Sequence, residues 1–181
     1  RPRSSGIIAI DLREGDHLVD VAITDGSREI MLIASHGKAI RFKENDVRPM
    51  GRGAAGVRGI KLPNDHDVIA LAIVGTGMLL SATENGFGKR TAIEDFPIQG
   101  RGGQGVIAIQ TTARNGRTVG AIQVGDDDEV MLISSGGTLV RTPVSDISII
   151  GRNTQGVTLI RVESGQRLVG LARIEFIGDD E

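Results

Sequence analysis

The feature that most constrains this chain is an internal repeat. Three stretches share Gly-Arg, three further residues, and then Gly-Val: MGRGAAGVRGI (50–60), QGRGGQGVIAI (99–109) and IGRNTQGVTLI (150–160). Their arginines, Arg52, Arg101 and Arg152, are separated by 49 and 51 residues. The stretch RSSGIIAI at 3–10 is similar to an earlier copy. Periods of roughly 20–50 residues are typical of solenoids, propellers and other arrays, so we expect a chain built from similar units.

Two further elements recur in phase with the first. Apolar runs end in a glycine turn and deliver an arginine four residues after the glycine: Gly37 and Arg41, Gly86 and Arg90, Gly137 and Arg141. Each follows another apolar run, LVDVAIT (18–24), VIALAIV (68–74) or TVGAIQV (118–124), and a fourth such run, LVGLARI (168–174), comes after the last of them. We therefore predict units of roughly 50 residues. Their approximate bounds are 6–55, 56–104, 105–155 and a partial unit at 156–177, before an acidic tail at 178–181.

The units are expected to be β structure. Their runs are short, rich in Val and Ile, and bounded by clusters of Gly, Asn, Asp and Ser. No segment shows a sustained helical period with a cap. About four short strands per unit predict an all-β, propeller-like array of four-stranded blades, in which radial packing protects the sheet edges. Because such discs usually need more blades, we expect a fragment of a larger array or an open arc.

The turn at 100–105 also reads as G-x-G-x-x-G, the glycine pattern of dinucleotide-binding turns. That motif needs a helix after the glycines, whose N-terminus faces the pyrophosphate. Here Gly105 is followed by VIAIQTT, a strand-like run, and the sibling copies lack the full pattern. We therefore expect the glycines to serve a turn between blades, which needs positive φ and close backbone packing.

The repeated arginines predict a regular array of cations. Stacked units would place them at near-constant intervals along a curved rim, and duplex DNA offers phosphates at regular intervals to match. Repetition alone leaves two interpretations open, phosphate contacts or ordinary solvated surface residues. Further basic residues lie near the repeated arginines in the sequence: Lys38, Lys43, Arg48, Arg58, Lys61, Lys89 and Arg161.

The composition narrows the class of nucleic acid that the chain is expected to bind. The net charge of −2 argues against a strongly basic binder, so the arrangement of charge matters more than its sum. Four Phe with no Trp and no Tyr are too few to build a platform on which single-stranded bases stack. Duplex DNA, contacted through its backbone and bent, is therefore preferred over single strands.

Little in the sequence supports catalysis or a cofactor. The absence of Cys excludes disulfides and thiolate metal sites. The histidines His17, His36 and His66 lie outside the repeated positions and lack zinc-ligand spacing. The acidic run 125–129 lacks the EF-hand pattern and is expected to be a solvated turn. There is no tyrosine to act as a covalent nucleophile and no G-x-x-x-x-G-K-[ST] phosphate loop. We expect no catalytic residue, metal or cofactor in this segment.

Three stretches carry a family resemblance: EIMLIASHGKAIRF (29–42), MGRGAAGVRGIKL (50–62) and GTLVRTPVSDISIIGRNTQGVTLIR (137–161). Across essentially the whole chain, the sequence resembles the C-terminal domains of DNA gyrase A subunits, with those of topoisomerase IV as the alternative. The resemblance implies a β-pinwheel, a six-bladed propeller-like disc whose rim bends and wraps duplex DNA. It also implies two partners, the N-terminal part of the gyrase A subunit and the gyrase B subunit. ATP on the B subunit would drive negative supercoiling, with ATP and magnesium bound outside this segment.

The box of that family, Gln-basic-Arg-Gly-Gly-basic-Gly, is only partly kept. QGRGGQG (99–105) retains its Gln, Arg and three glycines but has Gly100 and Gln104 where the family has cations. The resemblance therefore implies a degenerate box here, and we expect the basic one upstream of Arg1.

The sequence as a whole predicts non-catalytic duplex DNA binding by part of a gyrase A subunit. Nothing resembles a signal peptide or a membrane span, so the cytoplasm, in association with the bacterial nucleoid, is the expected location. A propeller-like protein-interaction module, which would contact partners through loops on one face, is the alternative from another class. The residues predicted to contact phosphate are Arg41, Arg52, Arg90, Arg101, Arg141 and Arg152, supported by Lys38, Lys43, Arg58, Lys89 and Arg161.

Overall fold

The computed structural model describes residues 6–174, whose regular secondary structure is short β strands with three 3-10 turns. The strands are β1 (Glu29–Ala34), β2 (Lys38–Lys43), β3 (Val68–Ile73), β4 (Met78–Thr83), β5 (Phe87–Ala92), β6 (Val106–Ile107), β7 (Thr118–Val124), β8 (Glu129–Ser134), β9 (Leu139–Pro143), β10 (Val157–Thr158) and β11 (Leu168–Ile174). One 3-10 turn follows each hairpin: Glu44–Asp46, Ile93–Asp95 and Val144–Asp146.

The strands form three antiparallel sheets, each built on one hairpin. The first sheet has the order β3-β1-β2-β6, the second β10-β5-β4-β7 and the third β11-β8-β9. The first strand of each hairpin pairs with the long strand that follows that hairpin along the chain. The opposite edge of the first and second sheets is closed by a two-residue strand that follows the next hairpin along the chain. Consecutive units therefore exchange strands, and neighbouring sheets are interlocked.

The burial of the hairpin strands follows the position of each sheet in this array. In β4 every residue after Met78 is buried, because the second sheet packs between the other two. In β8 buried and half-buried residues alternate, which is the pattern of a sheet with one covered face. The long strands β3, β7 and β11 lie side by side, with β7 in contact with both others.

The core between sheets is almost entirely aliphatic. Ile93 and Val144, at equivalent places in two 3-10 turns, insert between consecutive sheets. Burying a large apolar side chain stabilises the fold by about 1.5–3 kcal/mol, so these turns anchor each unit on its neighbour. The side chains packed around them are Met31, Ile33, Leu79 and Phe96 in one cluster, and Leu80, Val124, Val130 and Ile147 in the other.

The all-β, propeller-like fold predicted from the repeats is confirmed. Two sheets have four strands, and the third has three among the described residues. The run 18–24, predicted as strand-like, forms no strand, and its Val21 and Ile23 are exposed. The unit bounds remain sequence predictions, and the acidic tail at 178–181 lies outside the described residues.

Candidate nucleic-acid interface

The three Gly-Arg stretches fold as turns that run along the outer edge of the sheets. We call residues 50–57, 99–106 and 150–157 the first, second and third rim turns. The second begins where the Gln99 N–H donates to the Arg41 carbonyl at 2.7 Å, and the third where the Ile150 N–H donates to the Arg90 carbonyl at 2.9 Å. Both then lead into the short strand that closes a sheet, β6 or β10. The hairpin of one unit therefore fixes the rim turn of the next.

The closing glycines of these turns are required by the backbone. Gly105 and Gly156 have φ of 68° and 77°, in the left-handed region that favours glycine. A Cβ on Gly105 would overlap the Ala39 carbonyl, and a Cβ on Gly156 would overlap that of Gly88. A strand, not a helix, follows each glycine. The interpretation of these glycines as inter-blade turn residues is confirmed, and the context of a dinucleotide loop is absent there.

The second and third rim turns each contact the segment that follows the preceding turn. The Gly102 N–H donates to the Gly59 carbonyl at 2.6 Å, and the Lys61 N–H donates to the Gly103 carbonyl at 2.8 Å. One unit later, the Gln110 N–H donates to the Thr154 carbonyl at 2.8 Å. The three turns, with the residues up to 61, 110 and 161 that follow them, thus form one continuous ridge, which we call the rim.

The hairpin arginines bind the next unit instead of projecting from the rim. In β2, Arg41 Nη1 donates to the carbonyls of Ile93 (2.9 Å) and Phe96 (3.2 Å), at the 3-10 turn of the following unit. Its Nε donates to Glu29 Oε2 at 2.6 Å. These contacts occupy the guanidinium, so the position predicted for phosphate contact serves inter-blade packing in this structure.

Arg90 repeats this contact one unit later and is more deeply buried. Its Nε donates to the Ile147 carbonyl at 2.7 Å and its Nη2 to the Ser145 carbonyl at 3.3 Å, while Nη1 pairs with Asp126. Arg90 is only 5% exposed. The side chain of Arg141, at the same place in the third unit, is 60% exposed and pairs with Glu129. No 3-10 turn of a further unit lies against Arg141 within residues 6–174.

Lys89 is fully buried, at 0% exposure, beneath the third rim turn. Its ammonium donates to the carbonyls of Gly151 (2.6 Å) and Arg152 (2.5 Å) and to Thr154 Oγ1 (3.0 Å). Burial lowers the pKa of Lys89 to about 8, and the nearby Arg152 charge acts in the same direction. The predicted direct phosphate contact does not fit this placement, because the ammonium lies below the turn and all three of its donors are in use.

The rim arginines differ from the hairpin arginines. Arg101 Nη1 donates to the Arg58 carbonyl at 2.5 Å, and Arg152 Nη1 donates to the Ile107 carbonyl at 2.9 Å. These carbonyls hold equivalent places, two residues after the closing glycine of the preceding turn. Both arginines are half-buried. Arg52 is exposed, and its side chain has no partner among residues 6–174.

Along the rim, exposed positive charge is concentrated at the first turn. Five exposed basic residues lie on this turn or close to it in the sequence: Lys43, Arg48, Arg52, Arg58 and Lys61. The equivalent residues of the second unit are Ala92, Pro97, Arg101, Ile107 and Gln110, and those of the third are Pro143, Ser148, Arg152, Thr158 and Arg161. Lys38, also predicted as a contact, is half-buried at the start of β2, and Arg161 is exposed. The rim thus carries most of its free cations at one end.

Four segments of the chain match one family model. The family is described as the DNA gyrase C-terminal domain, beta-propeller, and the matched residues are 1–25, 28–75, 77–124 and 128–175. The chain belongs to this family. The last three segments start 49 and 51 residues apart, which is also the spacing of the three rim arginines.

Curated relatives agree with this assignment. The DNA gyrase A subunit of Salmonella typhimurium is 55% identical over 182 residues, covering all of this chain and 21% of the relative. The DNA gyrase A subunit of Pseudomonas aeruginosa is 55% identical over 184 residues, covering all of this chain and 20% of the relative. The chain therefore spans about a fifth of the length of these relatives.

Two solved structures are also similar to the chain. One is the DNA gyrase A C-terminal domain, with a TM-score of 0.86, 28% identity, and coverage of 94% of this chain and 59% of that one. The other is the C-terminal domain of DNA topoisomerase IV, with a TM-score of 0.90, 26% identity, and coverage of 97% and 55%.

In this member of the gyrase C-terminal-domain family, the acidic run 125–129 has a structural role. In the acidic run 125–129, Asp128 Oδ2 accepts the Gly125 N–H at 2.6 Å and pairs with Arg173 at 2.7 Å, as expected for a turn. Residues 6–174 contain no group of three or more His, Asp or Glu placed to hold a metal ion. Nor do they contain a helix long and apolar enough to cross a membrane.

Sequence reasoning named Lys89 as a phosphate contact but did not foresee its burial, nor the different roles of the hairpin and rim arginines. Lys89 stands at the place of Ile40 and Val140 in the other hairpins. A charged residue at a repeat position that is otherwise apolar was the available signal. Arg48 and Lys61 were visible as neighbours of Arg52 in the sequence, and both are exposed in the structure.

Proposed function

We propose that this chain binds and bends duplex DNA along its rim, as a non-catalytic part of a gyrase A subunit. The observation that carries the proposal is the continuous rim with exposed Arg52, Arg58 and Lys61 at its first turn. Membership in the gyrase C-terminal-domain family supports it. Phosphate oxygens accept from arginine and lysine without regard to base sequence, so binding of this kind positions DNA and reads no sequence.

Charge and geometry explain how the rim would act. Each phosphate that a cation neutralises releases condensed counterions, so affinity falls with salt at a slope of about −0.9 per contact. Bending a site of 20–30 base pairs costs on the order of 1–6 kcal/mol, so several contacts must act together. Hydrogen bonds between successive rim turns, such as Gly102 to Gly59, would hold those contacts in fixed relative positions.

The phenylalanines support duplex over single-stranded DNA as the ligand. Phe42 and Phe96 are buried in the core, and Phe87 lies beneath the Arg114 guanidinium, 4.7 Å from its ring centroid. No phenylalanine of residues 6–174 offers an open ring face on the rim for base stacking.

The proposed contact set is narrower than the set of repeated basic residues. It consists of residues with accessible charge on or beside the rim: Lys43, Arg48, Arg52, Arg58, Lys61, Arg101, Arg152 and Arg161, with Lys38 and Arg141 at the margins. Arg41 and Arg90 act between units, and Lys89 acts from beneath the third turn.

Within the whole enzyme, this part would bend and position DNA and would catalyse no reaction. The chain has no tyrosine, so the nucleophile that breaks DNA would lie in the N-terminal part of the A subunit, and ATP and magnesium on the B subunit. DNA wrapped on the rim would then favour negative supercoiling. The 50–55% identity to gyrase A subunits favours gyrase over topoisomerase IV. A cytoplasmic location beside the nucleoid follows from that assignment.

Salt-dependent duplex affinity tests this proposal. The chain and its Arg52→Ala/Arg58→Ala variant are titrated with a 30-base-pair duplex of random sequence at increasing salt. The salt slope of the variant should be smaller by about 1.8, for two lost contacts. Arg117→Ala/Arg167→Ala, which removes the same charge at exposed sites outside the rim turns, is the control. An unchanged slope in the rim variant would remove both residues from the interface, and absence of duplex binding would refute the proposal.

A further inference from the structure

The third rim turn has few surface cations but a buried one beneath it. Lys89 occupies the centre of the turn and uses all three of its donors on Gly151, Arg152 and Thr154. In the second turn, the apolar Ile40 holds the equivalent place, and its side chain packs near Gly103. The third turn is therefore built around a positive charge, whereas the second is built around a hydrocarbon side chain.

The position of Lys89 determines which way the peptide groups of the turn face. A trans peptide points its C=O and N–H in opposite directions, and residues 6–174 contain no cis peptide bond. The carbonyls of Gly151 and Arg152 both point inward to the ammonium. The N–H groups of the same two peptides, which belong to Arg152 and Asn153, consequently point outward. Gly151 and Asn153 are exposed.

These two N–H groups are free donors. Neither the Arg152 nor the Asn153 N–H has a hydrogen-bond acceptor within the described part of the chain. In the second turn, the equivalent of the Asn153 N–H is that of Gly102, which is already bonded to the Gly59 carbonyl. Successive outward N–H groups form the concave donor arrangement that binds anions in many phosphate sites.

The electrostatics of the third turn favour an anion. Residues 150–157 include no acidic side chain, and Arg152 lies beside the two N–H groups. The charged groups that face the Lys89 ammonium are Arg152 and, from the 3-10 turn of its own hairpin, Asp95. With a pKa of about 8, Lys89 stays mostly protonated at pH 7.

We infer that the third rim turn is a phosphate-binding site, formed by the N–H groups of Arg152 and Asn153 above the buried Lys89 ammonium. The inference rests on the proposed function, because the phosphate it would take is one of the duplex backbone. The site supplies backbone donors and a buried charge where Ser148 and Thr158 replace the cations of the first turn. Lys89 is a positioning residue in this site, acting through the peptides that it orients.

Amide chemical shifts of the unsubstituted chain test the site directly. The 15N-labelled chain is titrated at pH 6.5 first with inorganic phosphate and then with a short duplex. The amides of Arg152 and Asn153 should move downfield in both titrations, because phosphate accepts from them. The Gly102 amide, already bonded, should move less with inorganic phosphate. Arg152 and Asn153 amides that stay in place in both titrations would overturn the inference.

Lys89→Met tests the buried charge, since methionine preserves an unbranched apolar chain at a place where other units have Ile40 and Val140. Arg167→Met, which removes one exposed charge away from the rim turns, is the matched control. The Lys89 variant should lose duplex affinity on the order of tenfold, and its Arg152 and Asn153 amides should lose their response to inorganic phosphate. Affinity and shifts equal to those of the control would overturn the role of Lys89. If the variant does not fold, the amide titration of the unsubstituted chain decides whether the third rim turn binds phosphate.

The two proposals fail in different ways. Duplex binding of normal strength with unmoved Arg152 and Asn153 amides would overturn this inference and leave the proposed function standing. Amides that respond to inorganic phosphate in a chain that does not bind duplex would support an anion site and overturn the proposed function.

Discussion

Removing the buried guanidinium of Arg90 separates its role between units from a role in DNA binding. Arg90→Met keeps much of the apolar stem and deletes the donors that reach the Ile147 and Ser145 carbonyls. Arg141→Met makes the same change at the equivalent place of the third unit, where the side chain is 60% exposed and pairs with Glu129. The pair therefore compares one chemical change in two environments.

The structure sets the expected magnitude. The bond from Arg90 to the carbonyl of buried Ile147 should contribute about 1.5–3 kcal/mol, because its donor is charged and the carbonyl would be left unsatisfied. The bond to exposed Ser145 is longer, and water can replace it, so it contributes about 0.5–1 kcal/mol. The partner Asp126 is 70% exposed, so this ion pair adds about 0–1 kcal/mol. The free energy of unfolding should fall by about 2–5 kcal/mol in total.

Urea and thermal unfolding measure this change. For a chain of this length, about 2–4 °C of Tm accompanies each kcal/mol, so Arg90→Met should lower Tm by about 4–20 °C. Arg141→Met should lower the free energy of unfolding by less than about 1 kcal/mol. At a temperature where both variants are folded, Arg90→Met should keep the salt slope of duplex binding.

Two results would refute this reasoning. Equal destabilisation by the two substitutions would show that the inter-unit contacts of Arg90 contribute little. A salt slope reduced by about 0.9 in Arg90→Met would place its guanidinium on a phosphate, against the burial seen in the structure.

Three further predictions follow from the rim and its supports. Gly105→Ala should lower the free energy of unfolding by more than about 1 kcal/mol in a urea titration, because φ is positive and a Cβ would overlap a carbonyl of β2; Gly100→Ala, with open space and an unconstrained φ, should be nearly neutral. The free energy of unfolding, measured by urea titration, should rise between about pH 8 and pH 10.5, because the folded chain releases the Lys89 proton at a lower pH than the unfolded chain does. Lys89→Met should show no such rise across this range. Ser148→Arg with Thr158→Arg, which restores two cations to the third rim turn, should raise duplex affinity and steepen the salt slope by about 1.8.

Each of these predictions has an outcome that contradicts it. Equal stability of the two alanine variants would show that the close approach at Gly105 relaxes at little cost. A flat pH profile in the unsubstituted chain would mean that the pKa of Lys89 is the same in both states; the chain has no Tyr or Cys to mask the effect. For the added arginines, Val169→Arg with Ala172→Arg on the inner strand β11 is the control. An equal gain in that control would assign the effect to net charge and not to the rim.

The fold was predictable because the repeat carries three signals in one period. Glycine turns, β-rich runs and a fixed spacing each indicate a blade, and the hydrophobic core needs only that pattern to form. Strand exchange between units was not predictable, because a two-residue strand such as β6 carries no sequence signal that distinguishes its own sheet from the preceding one. The run 18–24 shows the same limit, since its strand-like pattern says nothing about whether a partner lies beside it.

The candidate site was predictable in outline but not residue by residue. Repetition identified Arg41 and Arg52 equally well, since both recur in every unit. What separates them is the neighbour supplied by the next unit, which covers Arg41 with a 3-10 turn and leaves Arg52 exposed. Arg141 has the same local sequence context as Arg41, yet it lies largely exposed. Exposure at these positions depends on the array and is not encoded within one unit.

The two sets of arginines are nevertheless coupled through the backbone. The carbonyl of Arg90 accepts the Ile150 N–H at the start of the third rim turn, while its guanidinium binds Ile147 just before that turn. The spacing between rim turns is thus determined by blade packing and not by loop conformation. A rim held in this way presents its cations at fixed intervals before DNA binds. Binding therefore does not have to order a flexible loop, and the loss of conformational entropy on binding is smaller. Substitutions at Arg90 should therefore affect the shape of bound DNA, measured by bending assays, more than the number of phosphates contacted.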